Sequence, residues 1–423
     1  MDLAWLSLAA LLVVVAISCT ARVNPGLVAI VFAWLIVLFG GTLPNHPLKD
    51  ELTQKGLIAN FSSDLFLQLV GISLLFTLAE SNGTLARVAA ICQGLCRGNR
   101  GLVPLMFFAL AFGLGSLGPG NIAIAGLVAP VAMTAAVKMG ISPLLMALAV
   151  GHGAIASTVS PFTAAGVVVS DNLAKIGLPG HEWRIFAANA LANLAIGCGG
   201  YLLLGGWKLF RPTPAAETAE PTNQPATTLE ARHWLTISVV AMVLLAIAMC
   251  KANLGLAAFA GATLLLVLRQ ADEREAILKM PWGVIVMVCG VSLLATLLDK
   301  TKGTEKFAGL IASISTPGTR SGVLALVTGL VSIYSSTTAV VIPAFLPMVS
   351  KLADLTPGSD KLSLAQAVLV GGNLVDMSPF STIGALCLAG TPPETDRRLL
   401  FNQLLAWGFV VAFLGAILCW ICF

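Results

Sequence analysis

The chain has 423 residues, of which 57% are hydrophobic and only 10% charged, with a mean hydropathy of +0.92 and a formal net charge of +4. No water-soluble globule of this length is so apolar, and bilayer-length apolar runs without the alternating pattern of an outer-membrane barrel predict an all-α polytopic membrane protein. The small charge is spread over loops and points to no nucleic-acid partner.

In chain order, apolar runs predict spans over Leu3 to Cys19, Leu27 to Thr42 and Asp64 to Glu80. A hairpin of two half-length helices follows over Leu102 to Val137, then a span over Pro143 to Val169 broken near Pro161, and a span over Ile185 to Leu204. The first run has Asp2 rather than basic residues before it and leads straight into another span, so it reads as a retained helix and not a signal peptide. The series then recurs: Trp234 to Cys250, Leu254 to Leu268, Trp282 to Leu298, a hairpin over Gly322 to Leu352, Leu364 to Ala389 broken near Pro379, and Leu399 to Trp420. Thr84 to Arg100 and Thr301 to Ser315 follow matching spans and mix basic with apolar residues, as helices lying on the bilayer surface do.

Local sequence repeats with the spans. Val23-Asn24-Pro25-Gly26-Leu27 matches Ala252-Asn253-Leu254-Gly255-Leu256, Gly71-Ile72-Ser73-Leu74-Leu75 matches Gly290-Val291-Ser292-Leu293-Leu294, and Ser160-Pro161-Phe162-Thr163 matches Ser378-Pro379-Phe380-Ser381. Each unit therefore holds five transmembrane helices plus one re-entrant hairpin, with one of the helices broken. Five is odd, so the second unit enters the membrane from the opposite side and the repeats are inverted. The predicted organisation is a first repeat over residues 1–206, a linker over 207–233 and a second repeat over 234–423. The linker is rich in Pro, Thr, Ala and Glu and too poor in apolar residues to fold. A slight Lys and Arg excess lies on the face holding Arg22, Arg87, Arg97, Arg100 and the linker. By the positive-inside rule it puts that face in the cytoplasm and both termini outside a bacterial-type inner membrane.

Chemistry is sought where helices are interrupted, because inside hydrocarbon a freed backbone group costs several kcal/mol unless protein, water or ligand satisfies it. The hairpins turn at Gly113-Leu114-Gly115-Ser116-Leu117-Gly118-Pro119-Gly120-Asn121 and at Ser332-Ile333-Tyr334-Ser335-Ser336-Thr337-Thr338. Both tips offer carbonyl and side-chain oxygens, which suit a hard monovalent cation such as sodium, and each starts a half-helix whose positive dipole end favours an anion. Pro161 and Pro379 each remove an amide and free carbonyls one turn earlier. A plain proline kink explains either break alone. Two breaks at equivalent places, each after a polar tip, argue for a pocket.

Asp376 is the one carboxylate at a break. It reads as a cation ligand or proton carrier, against water access or a helix cap. His152 reads as a packed neutral histidine bonded to a carbonyl, against a ligand or proton relay, and Asn189, Asn193 and Asn373 as bonds between helices. Nine cysteines stand mostly singly in apolar runs and read as small buried hydrophobes, with no metal or redox set. No Lys or Arg lies in a break, so an anionic substrate has to be neutralised by bound cations, amides and hydroxyls.

These motifs, across nearly the whole chain, resemble the divalent anion:sodium symporters of the ion transporter superfamily, and more closely the MatC-type carriers of malonate, malate and related dicarboxylates. The symporters have Ser-Asn-Thr at each tip and Thr-Pro at each break. Here Gly120-Asn121-Ile122 and Ser336-Thr337-Thr338 stand at the tips, and Ser160-Pro161 and Ser378-Pro379 at the breaks. The resemblance implies co-transported Na+ at two sites, one from Ser116, Gly120, Asn121 and the Val159 carbonyl, the other from Ser332, Ser335, Thr337 and the Met377 carbonyl, with Asp376 a further candidate. It implies substrate carboxylates against Asn121, Ile122, Ser160, Pro161, Thr163, Thr337, Thr338, Ser378, Pro379 and Ser381. It also implies a homodimer working as an elevator. The expected function is sodium-coupled transport of small di- or tricarboxylates such as malonate, malate or citrate. A proton-coupled carrier or an arsenite-type exporter of the same superfamily is the rival within transport. A channel or a membrane enzyme is the rival outside it, and no His-Glu-x-x-His, Gly-x-Ser-x-Gly or phosphate loop supports an enzyme.

Overall fold

Runs of apolar residues without charges become helices, because only a helix satisfies its own amides and carbonyls away from water. A computed structural model describes residues 3–20, 23–41, 53–61, 63–94, 99–210, 228–250, 252–334, 337–356 and 358–423, and no strand occurs among them. Helices α1 (Leu3–Thr20), α2 (Pro25–Gly41), the short α3 (Gln54–Ala59), α4 (Ser63–Ser81) and α5 (Thr84–Gly94) come first. The first hairpin is α6 (Leu102–Ser116) and α7 (Gly120–Lys138), the first broken helix α8 (Pro143–Ala156) and α9 (Ala164–Lys175), followed by α10 (Glu182–Leu203) and a 3₁₀ turn over Gly206–Phe210.

The order then recurs. Helices α11 (Ala231–Cys250), α12 (Leu254–Val267), the short α13 (Glu273–Lys279), α14 (Trp282–Lys300) and α15 (Gly303–Ser313) lead to the second hairpin. That hairpin is α16 (Arg320–Tyr334) and a π stretch (Thr337–Val341) running through α17 (Ile342–Phe345) to α18 (Met348–Leu355). The second broken helix is α19 (Lys361–Leu374) and α20 (Thr382–Ala389), and α21 (Arg397–Cys422) ends the chain.

Among the described residues, helices stand at the predicted spans and interruptions at the predicted breaks, and three features are new. Short α3 and α13 have no counterpart in the sequence reading. They start on Thr53 and Asp272, whose side chains accept the first free amides. Helix α7 runs 19 residues through Pro130, about 28 Å, which is longer than a half-length arm. Among the described residues α4, α7, α10 and α21 are long and apolar enough to cross a membrane. Of the predicted linker, residues 211–227 lie outside the described residues, while its two ends run into the 3₁₀ turn and α11.

Packing exchanges equivalent elements between the two halves. Helix α2 packs on α14 as α12 packs on α4, α1 on α15 as α11 on α5, α7 on α20 as α17 on α9, and α10 on α19 as α21 on α8. Glycines set the closest crossings. Gly26 lies against the backbone of Val286 and Met287, with Gly290 on the Gly26 carbonyl; Gly255 lies against the backbone of Gln68, with Gly71 on the Gly255 carbonyl. Backbones approach this closely only where no Cβ intervenes. Each crossing carries one asparagine bond: Asn24 donates to the Gly283 carbonyl at 2.7 Å, and Asn253 donates to Asp64 Oδ1 at 3.0 Å. Two large apolar cores result. One joins α1, α2, α4, α12, α14 and the second hairpin; the other joins α6, α7 and α8 with α20. Val159 of the first break sits in the former, and Met377 of the second break in the latter.

Candidate functional site

Each break lies against the hairpin of its own half. In the first half the chain leaves helix at Ser157 and returns at Ala164. Ser160 donates to the Ser116 carbonyl at 2.7 Å, and Gly115 leaves room for Ser157 at the end of α6. The Ser116 hydroxyl turns back onto Phe112 O at 2.7 Å. Gly120 starts α7 at φ +77, a left-handed conformation that glycine adopts without strain, and the next side chain, Asn121, is buried.

The carbonyls of the first break are held locally, that of Ser157 by the Ser160 amide at 3.1 Å. The Thr163 hydroxyl lies 2.6 Å from Thr158 O and 2.8 Å from Ser160 O, and its oxygen caps α9 by accepting the Gly166 amide at 3.0 Å. Thr163, read from sequence as a substrate ligand, thus spends its hydroxyl on the break itself. Thr158 Oγ1, fully buried, has no hydrogen-bond partner among the described residues.

The second half is wired differently. Asp376 stands where the first break has Thr158, and its Oδ1 accepts from Ser332 at 2.8 Å, Thr337 at 2.9 Å and Ser381 at 3.2 Å. Ser332 and Thr337 are themselves 2.6 Å apart. Three oxygens thus make three short edges, while the two hydroxyls bring two hydrogens. With the carboxylate ionised, one edge therefore lacks a hydrogen of its own. Ser381, the counterpart of Thr163, makes no side-chain cap on α20: its hydroxyl donates to Asp376 Oδ1, and the Gly384 amide bonds the Asp376 carbonyl at 3.3 Å. Among the described residues no ion pair reaches Asp376, which is only 3% exposed.

Both breaks share two devices that the sequence reading passed over. A methyl group on Gly166 would come within 1.8 Å of the Ser160 carbonyl oxygen, and one on Gly384 within 2.2 Å of the Ser378 carbonyl oxygen. Each returning half-helix therefore seats the carbonyl of its break serine on a bare glycine. The phenylalanine after each proline enters an aromatic cluster: Phe162 meets Trp183 edge-on at 5.9 Å, and Phe380 stacks on Tyr334 at 5.5 Å and meets Phe401 edge-on at 5.4 Å. The signal was present, since Phe and the Gly spacing repeat along with Ser-Pro.

Other candidates fall into place around the breaks. Ser378 and Pro379 are buried, Thr338 is nearly so, and Ile122 packs at the edge of the α6–α8 core. Ser335 and Ser336 lie outside the described residues. His152 is fully buried. It bonds Asn193 Oδ1 through Nδ1 at 3.0 Å and accepts from the Trp407 indole at Nε2, also at 3.0 Å, so it is a neutral ring held by side chains and not by a carbonyl. Asn193 donates to Asn189 O, and Asn189 donates to Ile155 O at 3.0 Å and Ala156 O at 3.3 Å, which satisfies the open end of α8. Asn373, expected to bond a neighbouring helix, instead has both amide atoms buried without a partner among the described residues. Two orphan side chains, Thr158 and Asn373, thus remain at the breaks with bonding capacity for ligand or water. No group of His, Cys, Asp and Glu able to hold a multivalent metal occurs among the described residues, and Cys198, Cys289, Cys387, Cys419 and Cys422 are free thiols.

An all-helical chain of apolar spans with buried, oxygen-lined interruptions defines a multi-pass membrane protein. Residues 1–158 match a family model described as the N-terminus of the dicarboxylate carrier protein MatC, in line with the resemblance read from the motifs. In fold the chain is similar to the MtrF structure from Neisseria gonorrhoeae, described as illuminating a class of antimetabolite efflux pumps, with 14% identity, a TM-score of 0.58 and 96% of each chain covered. It is also similar to the YdaH transporter of Alcanivorax borkumensis, described as having an unusual topology, with 15% identity, a TM-score of 0.55, and 94% of this chain and 98% of that one covered. No curated protein matches the chain. These relatives are carriers and pumps, not enzymes.

Proposed function

We propose that the protein is a sodium-coupled secondary transporter of small di- or tricarboxylates that works as an elevator. The observation that carries the reading is the pair of break-and-tip half-sites, buried, rich in hydroxyl and carbonyl oxygens and free of Lys and Arg. The MatC match over residues 1–158 supports carboxylate transport, and the exchange of equivalent contacts between the halves supports inverted repeats with re-entrant hairpins. One cation would sit by Ser116, Gly120, Asn121 and the Val159 carbonyl, the other by Ser332, Ser335, Thr337, Asp376 and the Met377 carbonyl. The substrate would lie between them, against Asn121, Ser160, Thr337, Thr338 and Ser378. Hairpins and broken helices form the moving block, and the glycine crossings of α2 with α14 and α4 with α12 belong to the fixed frame. The protein would sit in an inner membrane as a homodimer, linker inward.

The test is uptake of labelled malonate, malate and citrate into proteoliposomes with and without an inward sodium gradient. Uptake driven by sodium supports the proposal. Uptake that ignores sodium and follows a pH gradient removes the coupling, and unitary currents in a planar bilayer would make the protein a channel.

A further inference from the structure

The two half-sites differ by one charge, and that charge limits what the pocket can carry. Thr158-Val159-Ser160-Pro161-Phe162 in the first half answers to Asp376-Met377-Ser378-Pro379-Phe380 in the second, so a neutral hydroxyl in one half-site corresponds to a carboxylate in the other. Asp376 is no surface residue, and its partners, the hydroxyls of Ser332, Thr337 and Ser381 and the Thr337 backbone amide, are all neutral. Among the described residues, the Lys and Arg of α19 and of the helices packed on it bond elsewhere or sit at helix ends: Lys361 opens α19 and reaches Ser350 and Asp354, and Lys351 of α18 pairs with Glu305. Arg320 opens α16 and donates to Ser359, Arg397 opens α21 and donates to Thr391, and Arg184 lies in the first turn of α10. His152 is tied up by Asn193 and Trp407.

We infer that the loaded pocket is charge-matched to a singly charged carboxylate, so that a dicarboxylate enters in its half-protonated form. The inference rests on the two-cation reading above. Two monovalent cations bring two positive charges, Asp376 cancels one of them, and no other fixed charge lies in the tips or breaks. One positive charge is left for the substrate. A doubly charged acid would leave an uncompensated charge among buried apolar residues, which is costly wherever water is excluded. With a threonine at both breaks the same pocket would balance a dianion, so Asp376 is the residue that sets the charge class.

The experiment compares monomethyl malonate, which carries one charge, with malonate, which carries two at about pH 8, as sodium-driven substrates in proteoliposomes. Wild-type protein is expected to take up the monoester about tenfold faster or more, and malonate uptake is expected to rise as the medium is acidified through that acid's second ionisation. Asp376→Asn is expected to remove the preference or turn it toward malonate. Faster wild-type uptake of malonate than of the monoester at about pH 8 overturns the inference while leaving carboxylate transport intact, and so does an unchanged preference in Asp376→Asn. Uptake of neither acid under any sodium gradient refutes the transport reading and the inference with it. Should Asp376→Asn fail to fold, thermal stabilisation of wild-type protein in sodium by the two acids gives the same decision.

Discussion

The first break satisfies itself, and the second gathers its hydroxyls onto a carboxylate. Thr163 caps α9 and holds the carbonyls of Thr158 and Ser160, while its counterpart Ser381 makes no side-chain cap on α20 and donates to Asp376. At the end of the preceding half-helix, α8 is closed by Asn189 and the Asn193–His152–Trp407 chain, whereas Asn373 at the end of α19 has no partner among the described residues. The two Ser-Pro-Phe breaks thus differ in their side chains: one keeps its hydroxyl on its own carbonyls, and the other gathers three hydroxyls on a buried carboxylate. The Ser-Pro-Phe break is common to both halves, and the side chains around it set the two apart.

The sharpest way to break that statement is at the glycines the two breaks share. A methyl at Gly166 or Gly384 meets a carbonyl oxygen at 1.8 or 2.2 Å, and neither oxygen can swing away as a flexible side chain would. Gly166→Ala and Gly384→Ala are each expected to cost about 3 kcal/mol or more and to abolish uptake, read by thermal unfolding in detergent and by proteoliposome assay. If one is tolerated and the other is not, the backbones of the breaks are not equivalent.

The hydroxyls after the prolines sharpen the comparison from the other side. Thr163→Ala removes a cap and the partner of two carbonyls, for an expected loss of about 1–2 kcal/mol that is the same in sodium and in potassium. Ser381→Ala removes no cap and leaves Ser332 and Thr337 on Asp376. Its expected loss is under about 1 kcal/mol, with a weakened sodium dependence of uptake as its signature. Equal sodium dependence in both variants would undo the division of labour between the breaks.

How much of this was legible in the sequence follows from the range of each signal. Spans, hairpins and breaks are written in runs of ten or more apolar residues and in Pro and Gly, so their places were readable from Leu3 to the final helix. The Ser-Pro-Phe repeat likewise located both breaks. Partners across helices were not readable: His152 finds a tryptophan 255 positions away, and Asn373 finds no partner among the described residues. Whether a break hydroxyl turns inward to cap a helix, as Thr163 does, or across to a carboxylate, as Ser381 does, depends on Asp376 lying within reach of three hydroxyls. Composition and spacing hold no record of that. Helices α3 and α13 escaped because at six and seven residues they are too short to show a period.

The smallest expected effect tests the part of the molecule where the halves do match. Asn24 accepts the Gly26 amide at 2.9 Å and reaches across to the Gly283 carbonyl; Asn253 accepts the Leu256 amide at 3.1 Å and reaches across to Asp64. Each asparagine starts a helix and ties it to the opposite half, beside the glycine crossings of Gly26 with Gly290 and Gly255 with Gly71. These bonds are exposed or only partly buried, so water replaces much of what a substitution removes. Asn24→Ala and Asn253→Ala are each expected to lower stability by about 0.5–1 kcal/mol, by the same amount within about 0.5 kcal/mol, and to leave sodium dependence untouched. A frame that holds still while hairpins and breaks move should respond in this even way. A change in the sodium response from either variant would place these crossings in the moving part and contradict the split between a symmetric frame and an asymmetric site.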